Sequence, residues 1–205
     1  MTVDHLVYGV EDLRAGVAEL AERLGVEAAP GGKHVGRGTH NALLGLGGDA
    51  YLEIIAFDPE QTERRAPPLF ALGQVRLPRL VGWACAATDI QERVRRARQS
   101  GYDAGPAEAM SRLRQDGTAL RWLLTPPPPP DRRVIPFLID WGDSPHPSRA
   151  APAGVRLVEL RAEDPEPRRA RAALAALEVE LHVEAGPEPA LIATLDSPKG
   201  RVVLR

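Results

Sequence analysis

Two residues in the first quarter of the chain carry the types needed for proton or metal chemistry: His5 on one apolar stretch and Glu53 on another. An imidazole beside a carboxylate can ligate zinc, nickel, manganese or iron(II). The same pair without metal can move protons, the carboxylate as general base and the imidazole orienting it or sharing its proton. Two ligands hold an ion poorly. His40 is the candidate third, which would give two histidines and one carboxylate, and His34 and His146 are loop alternatives. A buried glutamate is costly without a partner, so a metal centre, a metal-free polar pocket and a plain structural pair all remain open readings for His5 and Glu53.

Between them runs Gly31 to Asn41 (GGKHVGRGTHN), with four glycines, Lys33, Arg37 and two histidines. Glycines let backbone N–H groups turn toward an anion, and the cations favour one. No phosphate-loop signature is present and no helix pattern follows, which argues against a nucleotide. The expectation is a mobile pocket rim meeting a carboxylate or enolate, with His34, Arg37 and Asn41 as substrate-binding residues. Arg112, Arg114 and Arg121 fall on later strand patterns. Arg112 and Trp122 are chosen as cavity residues, because arginine and tryptophan often line ligand sites. Trp83 and Trp141 are expected to pack in the core, and Asp140 to cap a turn.

The elements that must position these groups follow from periodicity and caps. Residues 2–10 alternate as a strand, which puts Val3, His5 and Val7 on one face and Asp4, Leu6 and Tyr8 on the other. Asp12 caps a helix from Leu13 to Leu24, with an apolar stripe of Leu13, Val17, Leu20, Ala21 and Leu24, and Gly25 ends it. Strands follow at 40–46 and 50–57, with one more near 26–30 or inside the glycine-rich loop. The order then recurs. A strand at 80–88 precedes a helix capped by Asp89, with Glu92 completing a capping box, and strands near 107–113, 118–125 and 134–141. It recurs again as a strand at 155–162, a helix opened by Asp164-Pro165, and strands near 178–184, 189–195 and 201–205. Asp12, Asp89 and Asp164 mark the starts at intervals of 77 and 75 residues. The reading is one compact α+β domain in three modules: 1–78 with the glycine-rich loop, 79–150, and a shorter 151–205.

Composition narrows the function classes. The chain has 205 residues, 43% of them hydrophobic, enough for a real core. A net charge of -2 leaves no nucleic-acid footprint. No apolar run nears the roughly 20 residues of a membrane span, and the first ten residues lack a secretory pattern. The lone cysteine, Cys85, allows no intrachain disulfide and sits in an apolar run as a core residue. The lean toward Ala, Arg, Leu, Pro and Gly is the bias of a GC-rich bacterial genome. The proline tract 126–130 is a stiff connector. The basic face of the last helix (Arg168, Arg169, Arg171) is flanked by acids and reads as solvent-facing. The expected setting is cytoplasmic, with a small-molecule ligand, no nucleic acid, no membrane, and a homodimer as an option.

The chain resembles the glyoxalase-like domain family within the vicinal oxygen chelate superfamily, which includes glyoxalase I, the bleomycin-resistance proteins and the extradiol dioxygenases. The residues that carry it are Asp4-His5-Leu6-Val7, Gly31 to Asn41 and Tyr51-Leu52-Glu53-Ile54-Ile55 in the first module. Gly82-Trp83, Met110-Ser111-Arg112, Asp116-Gly117, Leu120-Arg121-Trp122, Pro136 to Gly142, Pro145-His146-Pro147 and Thr194 to Gly200 extend it over nearly the whole chain. The resemblance implies repeated βαβββ modules whose curved mixed sheets enclose a cavity. It implies a divalent metal held from the first and last strand of each module. His5 and Glu53 take those positions in module one. Aligning the helix caps puts Gly82 opposite His5, and aligning the last strands puts Phe137 opposite Glu53, so module two departs from the pattern. Module three offers no matching pair at 156–159 or 202–204. The activities implied are isomerase, lyase or dioxygenase chemistry on a small anionic or oxygen-rich metabolite, with metal-free sequestration of the bleomycin-resistance type as the alternative.

Overall fold

The computed structural model describes residues 2–34, 36–61, 69–113 and 119–205. Val35, Arg114 and Asp116-Gly117, all singled out above, lie outside them.

The first unit is β1 (Val3–Gly9), α1 (Leu13–Leu24), β2 (Ala29–His34), β3 (Thr39–Gly45) and β4 (Tyr51–Phe57). The second is β5 (Arg79–Ala86), α2 (Ile90–Gln99), β6 (Glu108–Leu113), β7 (Ala119–Leu124) and β8 (Phe137–Asp140). The strands close into one eight-stranded barrel in the order β1-β4-β3-β2-β6-β7-β8-β5. Two βαβββ units thus enclose a common interior, the fold the resemblance implied. β1 joins the halves by running antiparallel to β5 while pairing parallel with its own β4.

The caps act locally. Asp12 accepts the Ala15 N–H at 2.7 Å, and Gly25, at φ 76°, ends α1 in the left-handed conformation that glycine tolerates. Asp89 accepts from the Glu92 N–H at 3.3 Å, but Glu92's carboxylate turns forward to Arg95, so the capping box is only half formed. The expected glycine-rich loop is largely strand: β2 and β3 form a hairpin from Ala29↔Leu43 to His34↔Thr39. Gly31 is required here, because a Cβ would lie 2.2 Å from Asn41 Oδ1.

The third unit has the same element order, β9 (Arg156–Asp164), α3 (Pro167–Ala176), β10 (His182–Ala185), β11 (Ala190–Ser197) and β12 (Gly200–Leu204). Its pairing differs. The strand order is β10-β9-β11-β12, so the first strand sits inside the sheet and not at an edge. One face carries Ala162, Leu191, Ala193, Leu195 and Leu204 into the core shared with the outside of the barrel and its helices. The other is a lattice of ion pairs, such as Arg156–Asp196–Arg201 and Arg205–Glu163. Among the described residues, no helix is long and apolar enough to cross a membrane.

An eight-stranded barrel has an interior just wide enough for side chains to fill. Here Val7, Ile55, Leu120, Trp122, Phe137 and Ile139 fill most of it. The polar groups that share this interior are the candidate site.

Candidate functional site

Alternation along β4 points Tyr51, Glu53 and Ile55 inward, and Glu53 is 6% exposed. Its carboxylate is held from several sides. Asn41 of β3 donates from Nδ2 to Oε1 at 2.5 Å. His5 Nε2 lies 3.7 Å from Oε2, and His34 Nε2 lies 3.7 Å from Oε1. Arg112 of β6 donates from Nη1 to Asn41 Oδ1 at 3.0 Å, so its cation reaches Glu53 through the amide. The absence of a side chain at Gly31 is what lets Asn41 and Arg112 meet.

His5 is oriented from behind. Its Nδ1 lies 2.6 Å from Asp4 Oδ1. Strict alternation puts Asp4 on the opposite face of β1, and that expectation fails for a local reason. The β1–β5 register shifts between Val3 and His5, leaving Asp4 unpaired in a bulge that re-aims its side chain. Asp4 Oδ2 also accepts from Trp141 Nε1 at 3.1 Å and from His146 Nε2 at 3.0 Å. Burial pushes the Asp4 carboxyl up, but hydrogen bonds from His146 and His5 and their charges outweigh it and bring it down to about 2. Asp4 is therefore a carboxylate at neutral pH, and since it only accepts, Nδ1 of His5 carries the proton. The His5 ring stacks on Tyr51, centroids 4.7 Å apart, and meets the Phe137 edge at 5.4 Å.

His34 is fully enclosed. Burial lowers its pKa most, the Glu53 charge pulls it back up, and Arg112 lowers it further, with a net value of about 4. It is a neutral imidazole at physiological pH, with Nδ1 3.0 Å from Thr39 Oγ1. Burial, helped by the nearby Asp4 and Glu53 charges, holds the Tyr51 phenol well above its usual range and neutral.

His5, His34, Asn41, Glu53, Arg112 and Trp122 line one narrow cavity. His40 and Arg37 do not. His40 shares the outward face of β3 with Ala42 and Leu44, the opposite side from Asn41. Arg37, near the β2–β3 turn, lies 3.7 Å from Glu108 Oε2 and 3.6 Å from Met110 Sδ. Lys33 pairs outside with Asp58 and Glu60. Asp140 accepts from the Gly142 N–H as a turn cap, and Trp83 donates to the Val134 carbonyl in the core. Cys85 is buried, its thiol pushed up to about 12 by burial. Sequence reasoning passed over Tyr51, although its alternation with Glu53 was visible. It also left Trp141 to the core and did not foresee that His146 would reach Asp4.

The second half of the barrel confirms the positional alignment. Glu53 pairs with Val7, two residues after His5, and Phe137 pairs with Ala84, two residues after Gly82. Where the first half carries an imidazole and a carboxylate, the second carries a hydrogen atom and a phenyl ring. Phe70 fills the space over Gly82, 3.1 Å from where a Cβ would stand. No group of three or more His, Cys, Asp or Glu side chains arranged to hold a metal ion occurs among the described residues. The Arg112 cation adds an electrostatic penalty for any ion beside Glu53. These residues do not fit the four-ligand ion that the superfamily implies.

Two βαβββ units closed into a barrel around a buried His–Glu pair define a protein of the vicinal oxygen chelate superfamily. The chain belongs to the glyoxalase-like domain family, whose model matches residues 3–178. A protein of unassigned function from Staphylococcus aureus is similar in fold at 13% identity and a TM-score of 0.68, over 98% of this chain and 83% of that one. Methylmalonyl-CoA epimerase from Mycobacterium tuberculosis aligns at 19% identity and a TM-score of 0.46, over 68% of this chain and 87% of its own. The Streptomyces coelicolor methylmalonyl-CoA epimerase aligns at 16% identity and a TM-score of 0.46, over 72% and 99%. A comparison with curated proteins finds no match.

Proposed function

We propose that the barrel interior performs proton-transfer chemistry of the isomerase or lyase type on a small anionic or oxygen-rich metabolite, with Glu53 as the base. One observation carries this reading: a buried carboxylate fixed by Asn41 and faced by two imidazoles inside a largely apolar cavity. Such a base is oriented before substrate arrives and is shielded from water. His5, with Nδ1–H committed to Asp4, offers Nε2 for relaying the abstracted proton. Asn41 and Arg112 keep Glu53 from rotating and meet charge that develops on the substrate. The cytoplasm is the compartment this reading expects, where Cys85 stays a free thiol.

The test is deuterium uptake from D2O at the carbon next to the carbonyl in a panel of small 2-oxo acids, followed by NMR. Glu53→Gln keeps the hydrogen bond to Asn41 and removes the base. A loss of about 100-fold or more is expected. Equal exchange by the variant sinks the proposal. So does stoichiometric metal in protein purified without chelator that disappears in Glu53→Ala, since the carboxylate would then be a ligand.

The aromatic filling of the second half, Phe70 and Phe137, favours one alternative, a protein that binds a flat molecule without turning it over. Tight binding across the panel with no exchange selects that reading.

A further inference from the structure

The three tryptophans differ in one respect. Trp83 donates its indole N–H to the Val134 carbonyl at 2.9 Å, and Trp141 donates to Asp4 at 3.1 Å. Trp122 is 8% exposed, and its Nε1 is buried with no acceptor among the described residues. Buried donors are rarely left unmade, and this one belongs to a residue on the wall of the cavity that holds Glu53.

That cavity is small, about 30 Å3, room for a head group of a few heavy atoms. The rest of any substrate must lie elsewhere, and the structure offers one direction. Trp122 and Trp141, ring centroids 5.1 Å apart, also wall an open groove of about 760 Å3 beside Met110, Leu123 and Pro145. The groove exists because β7 and β8 pair only at Leu123↔Asp140 and Leu124↔Ile139. Past that point the Ser144 hydroxyl bridges to the backbone of Arg121, and Trp122 and Trp141 flank the seam.

We propose that the substrate is an aryl-substituted 2-oxo acid whose ring lies along the Trp122–Trp141 seam, with the Trp122 N–H as donor to its carbonyl oxygen. This rests on the proton-transfer reading above and names its substrate class. The ring matches the two indoles, its outer edge faces the groove, and Arg112, itself hydrogen-bonded to Asn41, puts a positive charge on the cavity wall that draws a carboxylate. In the step itself the C–H bond between ring and carbonyl breaks and the proton passes to Glu53. The electron pair forms a carbon–carbon double bond, and the carbonyl oxygen becomes an enolate accepting from Trp122 Nε1. Return of the proton to that oxygen completes a tautomerisation, its return to carbon an exchange of hydrogen with the solvent or, where that carbon bears a further substituent, an inversion, and nothing else is consumed. With the metal positions of the second half filled by Gly82 and Phe137, Trp122 and Arg112 supply the stabilisation of developing charge.

Phenylpyruvate is the probe and pyruvate its ringless control, titrated calorimetrically into wild type, Trp122→Phe and Glu53→Gln. Trp122→Phe keeps an apolar ring and removes only the donor. Wild type is expected to bind phenylpyruvate about tenfold or more tighter than pyruvate, and Trp122→Phe to lose about tenfold for phenylpyruvate. The Trp122 indole proton is expected to move downfield on binding while that of Trp83 stays. Glu53→Gln is expected to bind within about threefold of wild type, so binding in all forms without exchange would overturn the proton-transfer reading and leave the ring site standing. Equal binding by Trp122→Phe, an unmoved Trp122 signal, or exchange of pyruvate without preference for the ring overturns the substrate assignment and leaves the base in place.

Discussion

The two halves of the barrel share one backbone plan and are furnished in opposite ways. Around β1 and β4 the interior positions are His5, Tyr51 and Glu53, joined by His34 and Asn41 from the hairpin. Around β5 and β8 the matching positions are Gly82 and Phe137, under the Phe70 ring. Each half solves its own physical problem. A buried charge needs partners: the first half supplies an amide and two imidazoles, and β6 of the second half adds, through the amide, the Arg112 guanidinium. Apart from Arg112 and Trp122, the second half fills space and excludes water, which rings do well. The difference teaches that a duplicated fold need not share its chemistry across the pseudo-symmetry axis. One half can hold the reactive groups while the other becomes the wall that desolvates them.

The sharpest way to break that comparison is to move the charge across it. Phe137→Glu places a carboxylate at the position equivalent to Glu53, among Ala84, Ile139 and Phe70, in the same cavity as the Glu53 charge and without an amide to hold it, His5 being committed to Asp4. A loss of roughly 3 kcal/mol or more is expected in urea unfolding at pH 7. Glu53→Gln, which keeps an acceptor for Asn41, is expected to cost less than about 1 kcal/mol. Similar costs for the two would mean that the halves are not electrostatically distinct.

Two pH measurements sharpen the first half alone. His34 is neutral when folded down to about 4, whereas an unfolded histidine takes its proton near 6.5. Above about 6.5 neither state is charged. As pH falls from there toward 4, the unfolded chain binds the extra proton and stability drops, by roughly 3 kcal/mol when complete. His34→Gln is expected to remove that slope, seen as a smaller difference in urea midpoint between pH 7 and pH 4.5. Asp4 has the complementary carboxylate signature. Its folded value of about 2 lies below the 3.8 of an ordinary aspartate. Its contribution is full above about 4 and is lost as pH falls through 2, about 2 kcal/mol in all. Asp4→Asn is expected to flatten the curve between pH 4 and pH 2. It should also release His5 from its Nδ1–H tautomer, which is visible in imidazole nitrogen shifts.

How far these features could be read from the sequence depends on how local their causes are. Helix α1 was legible to its ends, because Asp12 and Gly25 act on their own backbone. His5 and Glu53 were legible as polar residues in apolar strands. β2 was legible only as a strand somewhere near 26–30 or inside the loop, because Ala-Pro-Gly-Gly-Lys-His has no strand alternation, and its bounds are set by pairing with β3 and yielding space to Asn41 and Arg112. The bulge that brings Asp4 to His5 is a register shift against a strand some 80 residues away, invisible to any local pattern. His40 was one residue out of phase with the cavity, and a shift of one on a strand exchanges faces. The third unit shows the same limit at larger scale. Its element order was legible from caps and spacing, but the interior place of β9 depends on nonlocal pairing.

The smallest expected effect tests whether the aromatic wall is tightly or loosely built. Gly82 stands where the first half carries His5, and its backbone is outside the left-handed region, so alanine brings no backbone strain there. A methyl group would sit 3.1 Å from Phe70 Cδ1 and 3.2 Å from Cε1, so the ring must give by a few tenths of an ångström. Alanine also restricts the unfolded chain, worth about 0.4–1 kcal/mol in favour of folding. Phe70 is held over the site by its own backbone, at φ 60° followed by Ala71 at φ 49°, a left-handed pair that costs about 1–2 kcal/mol per residue. A ring held at that cost has a placement the fold maintains. Gly82→Ala is therefore expected to change stability by less than about 1 kcal/mol in either direction, because the two effects nearly cancel. A loss above about 2 kcal/mol in urea unfolding would show that the ring cannot give, and that the second half is as tightly specified as the polar cluster it faces.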